Sequence, residues 1–533
     1  MLVGDCFHPK FLLDATKRDL HLFSLWNVVK ENPKLGKIVR SEIKDLNNLD
    51  IPYFYSKCNS REIYDGFDRL IDDEFFIESG IYSVQKRINK LSYKDLNRQL
   101  FFIKTSMFGY NIKGTKSLIK KGLISSKIRY HSKIIFDEFD SNKRMNNIVN
   151  QIASRLVNLR IESETNCDWF NCIIKDNYVF NGIFDLSMFS GSVGKLYFLA
   201  WAGKQYKNDE FVRVAKKVIK TIIDLLNKSS TNINLPTGLY YGWGGVIQLL
   251  INLPNSFKTK ELDTLVDSLL DRVKSYSSED GNNDVMYGNS GLIMALYCVK
   301  NLKYKKKINE IIRMSGSRLL CNIKIKEEKL SWEIEALKSG NQVSGLSHGN
   351  SGIALALFIS YQVTKNEKFY EVLLIALKNE RMRLKLIPSD FVKTNFITLK
   401  NCSLTTGVTG VLLSRLQLKK IGFMDGFIDE EIELLANNIL KVKSKNNHSI
   451  ATGVFSKIEL LRMYSNQKND LILDAKVNSL LKSSIEEIEN SGVKTNNIIH
   501  LEDLSLFNGI TGVGYQLMRE VFPGEIPSIL NID

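Results

Sequence analysis

The most regular pattern along the chain is a glycine turn followed by an apolar segment. In its clearest copy, Gly345-Leu346-Ser347-His348-Gly349-Asn350-Ser351-Gly352 is followed directly by the apolar run from Ile353 to Ile359. Two glycines three residues apart indicate a turn in which backbone segments approach closely. The unbroken apolar run predicts a helix that is buried on all sides.

This pattern of a glycine turn and an apolar segment occurs seven times, at spacings of 46 to 61 residues. The spacing is too long for one helix and fits a helix pair with its loops, so seven copies predict about fourteen helices in one all-α assembly. The sixth copy is damaged, because Ser456 replaces its second glycine. The first glycines of the seven turns are Gly191, Gly242, Gly288, Gly349, Gly407, Gly453 and Gly509.

Two arrangements of these repeats are open, a closed (α/α)7 toroid and an open helical solenoid. In the toroid, seven inner helices direct their N-termini, with unpaired N–H donors and partial positive charge, at one end of a central cavity suited to anions or thiolates. In the solenoid, the glycines serve only close packing. The last copy ends near the C-terminus without a capping repeat after Gly509, and we therefore expect the closed toroid.

Composition and length predict an ordinary soluble protein with two domains. The chain has 533 residues, of which 44% are hydrophobic and 25% charged, enough for two substantial cores. No segment near Met1 resembles a signal peptide, and no uncharged apolar run approaches the length of a membrane span. We therefore expect a cytoplasmic protein. Its seven cysteines are scattered and odd in number, which argues against a disulfide framework.

The net charge of +15 is unevenly placed, because the stretch from Lys104 to Lys133 holds eight basic residues and no acidic one. This stretch predicts a solvated linker, with a docking site for an acidic peptide or a membrane surface as the alternative. No aromatic-interleaved basic motif accompanies it, so we do not expect nucleic acid as a partner.

Several short motifs resemble those of lanthipeptide synthetases. The motifs similar to the cyclase domain of that family are Phe184-Asp185-Leu186, Asp284 before Gly288, the fourth glycine turn, and the segment from Asn508 to Tyr515. The motifs similar to the end of the dehydratase domain in the class II, LanM-type enzymes are Phe7-His8-Pro9, Asp50-Ile51-Pro52-Tyr53-Phe54 and the segment from Arg98 to Ile103. The resemblance covers nearly the whole chain.

The resemblance implies three regions. Residues 1–110 are expected to be the helical C-terminal remnant of a kinase-like dehydratase domain, residues 111–150 a basic linker, and residues 151–533 a LanC-like cyclase domain of seven helical-hairpin repeats. The family's kinase-like residues lie upstream of the Phe-His-Pro motif, and the chain contains no P-loop or kinase-type glycine loop. We therefore expect neither kinase nor dehydratase activity.

The cyclase reaction of the family adds a cysteine thiol of a precursor peptide to a dehydroamino acid, which forms a thioether ring. The resemblance implies that His348 is the acid/base residue and that Asp284 is the aspartate of the third repeat. From the residues alone, His348 could equally cap a helix or hydrogen-bond a loop, and Asp284 could be a helix N-cap. Both roles stay open at this point.

The family's zinc ligands are missing from this sequence. Their positions fall on Thr405, Ala451 and Thr452, none of which is a thiolate or an imidazole, so the usual three-ligand site cannot form. A displaced site at Cys402 and His448 is the alternative, and it would need a third ligand. The sequence therefore predicts no cofactor, with zinc at the displaced site as the exception.

Two functions follow from these expectations. The first is a cyclase-like part of a LanM-type synthetase, which acts on or binds a precursor peptide in lanthipeptide (lantibiotic) biosynthesis and is impaired by the missing ligands. The second is a pseudoenzyme, a toroid that binds the peptide or a synthetase without chemistry. The precursor peptide is the expected partner in both, together with a complementary synthetase portion or export machinery.

Overall fold

The chain forms two compact units, Met1–Gln99 and Leu100–Asp533. None of the described helices combines the length and the apolarity that crossing a bilayer requires. The computed structural model describes residues 8–107, 140–175, 178–182, 185–227, 233–277, 280–326, 329–332, 344–384, 386, 403–442, 447–495 and 502–530.

The N-terminal unit combines short helices with a small antiparallel sheet of order β1-β2-β3. Its small core consists of Leu22, Leu25, Val39 and Leu46. The unit contains the predicted helices, and it also contains strands that the helical periodicity of the sequence did not indicate. The elements are α1 (Pro9–Leu12), α2 (Ala15–Phe23), α3 (Asn27–Glu31), α4 (Gly36–Asn47), β1 (Phe54–Tyr55), β2 (Ile63–Asp65), β3 (Leu70–Asp72) and α5 (Gly80–Ile88), followed by α6 (Tyr93–Met107), which continues into the second unit.

The second unit is built from alternating outer and inner helices, joined in places by two-stranded hairpins. The outer helices are α7 (Ser141–Leu159), α9 (Asp209–Asn227), α11 (Lys260–Ser277), α13 (Lys305–Cys321), α15 (Glu367–Leu384), α17 (Ile428–Lys441) and α19 (Leu471–Ser491). The inner helices are α8 (Ser192–Gln205), α10 (Trp243–Ile251), α12 (Asn289–Tyr297), α14 (Asn350–Thr364), α16 (Val408–Lys420), α18 (Val454–Lys468) and α20 (Ile510–Val521). The hairpins are β4 (Ile161–Glu162) with β5 (Cys167–Asp168), β6 (Asn171–Lys175) with β7 (Tyr178–Gly182), and β8 (Ile323–Lys326) with β9 (Lys329–Trp332).

Burial separates the two sets of helices as their sequences predict. Every residue of α14 from Asn350 to Ser360 is buried, in keeping with its unbroken apolar run. The outer helix α9 is amphipathic, and its buried residues, among them Phe211, Val214 and Val218, recur every three to four positions. One face of each outer helix therefore covers the inner layer.

The inner helices form a closed circle, because each packs on the next and α20 packs on α8. Helix α7 completes the outer layer by packing on α20. At that contact, a Cβ atom added to Gly514 would lie 3.1 Å from Cγ2 of Ile152. Within the described residues, the predicted toroid of seven inner and seven outer helices is confirmed, and the solenoid alternative is wrong.

A ring of backbone hydrogen bonds joins the seven glycine turns. In every bond an N–H of one turn donates to a carbonyl of the following turn, and the seventh turn donates back to the first. The bonds are Phe189 N to Tyr240 O (2.9 Å), Tyr241 N to Met286 O (3.1 Å), Met286 N to Ser347 O (3.2 Å), Ser347 N to Thr405 O (3.2 Å), Leu404 N to Ala451 O (2.9 Å), Ala451 N to Phe507 O (2.9 Å) and Phe507 N to Phe189 O (3.2 Å).

The glycines of the fourth turn are required by close approach. A Cβ atom on Gly349 would lie 2.5 Å from the carbonyl oxygen of Gly345, and one on Gly352 would lie 2.1 Å from that of Leu346. Any larger residue would push the start of α14 away from its own turn. In the sixth turn, Ser456 stands at the second position and its hydroxyl donates to Gly453 O at 2.8 Å.

Behind the fourth and fifth turns, a buried ion network ties inner helices to outer ones. Arg415 of α16 is fully buried and donates to Glu380 of α15 at 2.8 Å and to Glu431 of α17 at 3.0 Å. Both carboxylate oxygens of Glu380 also accept from the Ser351 hydroxyl at 2.7 Å. Because removal of one partner leaves an uncompensated buried charge, breaking such a network costs about 3 to 5 kcal/mol.

Candidate functional site

The residue just before the first glycine of each turn is partly exposed, whereas most of the residues around it are buried. We call these the rim positions, because the hydrogen-bond ring brings the seven turns together at one end of the toroid. In chain order they are Ser190, Tyr241, Tyr287, His348, Thr406, Thr452 and Asn508. Three consecutive positions carry rings, and the other four carry small hydroxyl or amide side chains.

His348 and Asp284 meet at the rim. His348 Nδ1 lies 2.7 Å from Asp284 Oδ2, and the side chains are 15% and 3% exposed. An ionised carboxylate can only accept a hydrogen bond, so Nδ1 carries the proton of this contact, and Nε2 is the nitrogen that a neutral imidazole would use as its acceptor. The pair therefore presents an oriented base at a partly open position, the arrangement that proton transfer needs.

Neither side chain serves as the cap of the helix that follows. The N-caps of α12 and α14 are Gly288 and Gly349, and no side-chain hydrogen bond caps either helix. Asp284 does stabilise its own turn, because Oδ1 accepts from the backbone N–H of Tyr287 at 2.8 Å. The N-cap role that was left open for Asp284 is therefore wrong, and its carboxylate combines this bond within the turn with the bond to His348. The catalytic roles of the two residues stay a prediction.

Tyr287 packs against this pair. Its ring stacks on the His348 imidazole with the centroids 6.1 Å apart and the planes 26° from parallel. Burial, followed by the Asp284 carboxylate, raises the pKa of the Tyr287 hydroxyl, so this hydroxyl stays protonated at neutral pH. Sequence reasoning missed Tyr287, although an aromatic residue before the first glycine in both the second and third turns was a signal that could have found it.

The three positions of the family's zinc ligands do not fit a metal. The Thr405 hydroxyl lies 2.7 Å from the Ser403 hydroxyl, and Thr452 Oγ1 accepts from Asn447 Nδ2 at 2.9 Å. Ala451 offers only a methyl group. Neutral hydroxyls engaged with other side chains cannot replace thiolates and imidazole in a tetrahedral zinc site.

The displaced zinc site finds no support either. Cys402 lies outside the described residues. His448 is buried, its Nδ1 accepts from the Lys494 N–H at 2.9 Å, and its Nε2 lies 3.5 Å from Glu487 Oε2. Across the described parts of the chain, no three His, Cys, Asp or Glu side chains converge as metal ligands would. The prediction that there is no cofactor stays a prediction.

His448 instead lines a cavity of about 340 Å³ between the end of α17 and helices α18 and α19. Burial lowers its pKa, and the Glu487 carboxylate opposes that effect. The imidazole is thus neutral at physiological pH and serves as a hydrogen-bond partner of the loop after α19.

The motif around Asp185 is structural in the first turn. Asp185 Oδ1 accepts from Ser187 N at 2.8 Å, and Oδ2 accepts from the Ser190 hydroxyl at 2.6 Å. Both bonds stabilise the turn that precedes α8. Phe184 of this motif and Phe7 of the Phe7-His8-Pro9 motif lie outside the described residues.

Residues 182–531 match the family model for lanthionine synthetase C-like proteins. The chain belongs to the lanthionine synthetase C-like family. The matched residues include all seven glycine turns, and the resemblance to LanM-type synthetases is confirmed. Residues 1–57 match a second family model, which is described as a domain of unknown function.

Two similar proteins extend this assignment. The lacticin 481/lactococcin biosynthesis protein LcnDR2 of Lactococcus lactis subsp. lactis is 22% identical over 521 residues, which cover 92% of this chain and 51% of the relative. The chain therefore spans about half the length of this curated relative. The solved structure of nisin cyclase superposes with a TM-score of 0.50 at 16% identity, over 71% of this chain and 93% of that one, and this likeness concerns the fold alone.

The predicted bounds 1–110, 111–150 and 151–533 stay a prediction, and residues 108–139 lie outside the described part of the chain. A complementary synthetase portion or export machinery as a further partner also stays a prediction. The basic stretch from Lys104 to Lys133 falls largely on residues that the structure does not describe.

Proposed function

We propose that this family member is a cyclase-type component of lanthipeptide biosynthesis that binds a precursor peptide and adds a cysteine thiol to a dehydroamino acid. We assign His348 as the acid/base residue and Asp284 as its partner. The observation that carries this proposal is the 2.7 Å contact between His348 Nδ1 and Asp284 Oδ2 at a partly exposed rim position.

The proposed step needs one group that takes a proton and returns it. His348 Nε2 removes the proton of the thiol, and the sulfur forms a bond to the β-carbon of the dehydroamino acid as the electrons of its double bond move to the adjacent carbonyl. The imidazolium then gives its proton to the α-carbon of the resulting enolate. Asp284 stabilises the imidazolium between the two transfers, and atoms and charge balance without a further reactant.

In our proposal this chemistry proceeds without the family's zinc. A free thiol has a pKa of about 8.5, so only a few per cent is thiolate at neutral pH. A zinc ion would supply thiolate activation, but Thr405, Ala451 and Thr452 provide no ligand set for it. Deprotonation then depends on His348 alone, and we expect a cyclase that is slow and yet faster than buffer.

The second function, a toroid that binds the peptide without chemistry, is favoured by one specific observation. The hydroxyls at two of the three zinc-ligand positions are engaged with neighbouring side chains and hold no metal. Four of the seven rim positions carry hydroxyl or amide side chains, which are suited to contacts with a peptide main chain. Under this alternative, the His348–Asp284 pair only stabilises the turn.

A synthetic peptide with one cysteine and one dehydroalanine separates the two functions. After incubation with the protein, N-ethylmaleimide adds mass only to peptide whose thiol is still free, so mass spectrometry reports ring closure. We expect faster closure than in buffer, no loss on addition of a chelator, and loss in His348→Gln. Binding of the peptide with closure no faster than in buffer would instead establish the non-catalytic toroid.

A further inference from the structure

Five rings form one stacked series along the rim and just beneath it. Phe507 stacks on Phe189 at 5.0 Å and 7°, Phe189 on Tyr241 at 5.0 Å and 27°, Tyr241 on Tyr287 at 5.5 Å and 20°, and Tyr287 on His348 at 6.1 Å and 26°. We call this series the aromatic arc. It begins in the seventh turn, passes through the first three and ends on the imidazole in the fourth.

The His348 ring is thereby held in two independent directions. The hydrogen bond to Asp284 lies in the plane of the imidazole and fixes its rotation within that plane. Stacking on Tyr287 acts along the perpendicular and fixes the tilt of the plane, because aromatic pairs prefer defined offset geometries. A base that must reach a thiol needs both constraints, since only together do they fix the position of Nε2.

Tyr287 touches both members of the pair. Its ring faces His348, and its backbone N–H donates to Asp284 Oδ1 at 2.8 Å, while Oδ2 of the same carboxylate contacts His348. The main chain of Tyr287 therefore positions the carboxylate, and its side chain positions the imidazole. A substitution of the Tyr287 side chain therefore changes the contact with the imidazole and leaves the backbone bond to Asp284 in place.

The rest of the arc supports Tyr287 from behind. Tyr241 covers its other face, and the pKa of Tyr241 is raised by burial and lowered in part by a hydrogen bond to Ser190. Beyond Tyr241, the rings of Phe189 and Phe507 are buried, and the hydrogen-bond ring fixes their backbones. Tyr287 therefore has on one side a series of rings that is buried beyond Tyr241, and on the other side His348.

We propose that Tyr287 is a positioning residue for His348, which holds the imidazole with Nε2 available to the peptide thiol and stabilises the imidazolium formed during the reaction. A cation next to an aromatic face is stabilised by the ring quadrupole, and stacking places the imidazolium in that position. This inference rests on the proposed function for its chemistry, whereas the orientation of His348 is a property of the resting protein.

The test compares Tyr287→Leu, which removes the ring, with Tyr287→Phe, which keeps it. In cyclisation assays we expect Tyr287→Leu to lower kcat about 10- to 100-fold with KM within about twofold, because loss of orientation at the base affects the chemical step. Tyr287→Phe restores the rate. Tyr276→Leu, the same exchange on the outer helix α11, is the matched control and leaves the rate unchanged.

A second readout needs no activity. The proton between His348 Nδ1 and Asp284 gives a downfield proton resonance, which is assigned by its loss in Asp284→Asn and in His348→Gln. We expect this resonance to persist in Tyr287→Phe and Tyr276→Leu and to broaden or vanish in Tyr287→Leu. If Tyr287→Leu does not fold, Tyr241→Leu removes the support behind the ring and is expected to broaden the same resonance.

The outcomes separate this inference from the proposed function. An unchanged resonance in a folded Tyr287→Leu or Tyr241→Leu protein overturns the positioning role, whether or not the protein cyclises peptides. A broadened resonance in a protein that never cyclises the peptide supports the positioning role and refutes the proposed function. A loss of kcat in Tyr287→Phe as large as that in Tyr287→Leu also overturns the proposal, since both variants then fail for a reason other than the ring.

Discussion

The fourth and sixth glycine turns have the same backbone conformation at their first glycine, but they present different side chains at the rim. Gly349 and Gly453 both take an extended conformation as N-caps, with φ of −107° and −110°, and both turns donate to the next turn in the hydrogen-bond ring. Yet the fourth turn presents His348 beside Asp284, whereas the sixth presents Ala451 and Thr452. Because the ring consists of main-chain groups, side chains at the rim can change while the toroid persists.

The two turns also place a histidine in different environments. His348 is partly exposed at the rim and lies 2.7 Å from the Asp284 carboxylate, whereas His448 is 1% exposed, accepts from the backbone of the loop after α19 and lies 3.5 Å from the Glu487 carboxylate. One imidazole is available to a ligand, and the other contributes to packing. The difference shows that a histidine near a glycine turn is informative about function only when its partner is known.

The largest expected effect comes from introducing the family's zinc ligands into the fifth and sixth turns. We predict that the triple variant T405C/A451C/T452H binds about one zinc per chain, since two thiolates and an imidazole are three of the four ligands of a typical site. The unchanged protein should carry far less. Elemental analysis after dialysis measures the metal, and the double variant T405C/A451C is the control. A triple variant without zinc would show that the backbone no longer fits the metal.

The next effect concerns the two histidines directly. We predict that His348→Gln and Asp284→Asn lower the cyclisation rate about 100- to 10,000-fold, the range that general acid/base catalysis contributes. His448→Gln should stay within about twofold of the unchanged protein, because its imidazole lies in the packing behind the turn. Initial rates of thiol loss give the comparison. Equal losses in the His348 and His448 variants would contradict the assignment.

A smaller effect distinguishes the second glycine position in the two turns, which is Gly352 in the fourth and Ser456 in the sixth. Gly352→Ala places a methyl group 2.1 Å from the Leu346 carbonyl oxygen, and we expect a loss of about 3 kcal/mol or more in unfolding free energy. Ser456→Gly removes only one hydroxyl contact and restores the family pattern, so we expect a change below about 1 kcal/mol. Thermal melting followed by circular dichroism measures both. Similar shifts in the two variants would argue against a steric role for Gly352.

The smallest expected effect is the pH dependence of stability from His448. Burial lowers its pKa in the folded state below the ordinary value of 6.5, so the unfolded chain takes up the proton first. Stability from this group is therefore present above the unfolded pKa and is lost as the pH falls below it. Between pH 7.5 and 5.5, we expect the melting temperature to fall less in His448→Gln than in the unchanged protein. An equal or greater fall in the variant contradicts this.

The sequence predicted the toroid because each inner helix has a local signature. The glycine pair and the apolar run from Ile353 to Ile359 lie within a few residues of one another, and the same holds in the other repeats. Helix α7 was harder to predict, since its first apolar positions, Met145 and Ile148, fall within residues 111–150, which the sequence predicted to be a basic linker. Its role as the partner of α20 depends on closure, which no local pattern reports.

The site was predictable only in part for the same reason. His348 and Asp284 came from the family resemblance, and the structure brings them together across 64 residues of sequence. The aromatic arc was missed because Tyr241 and Tyr287 belong to different repeats, so nothing local in the sequence indicates that their rings stack. Contacts between neighbouring repeats depend on how the repeats pack, and the sequence of a single repeat does not indicate that packing.

The hydrogen-bond ring has a consequence for how the toroid can change its size. In an open solenoid a repeat can be added or lost at an end, and unfolding can start there, because each repeat contacts only its neighbours. In this toroid the backbone N–H of Phe507 donates to the carbonyl of Phe189, just as the other turns donate to their successors. No helical hairpin, the pair of one inner and one outer helix, is therefore at an end of the array. Deleting any one hairpin breaks two interfaces and alters the curvature of all the others. The number of hairpins is thus fixed by circumference, and the repeats are expected to unfold together.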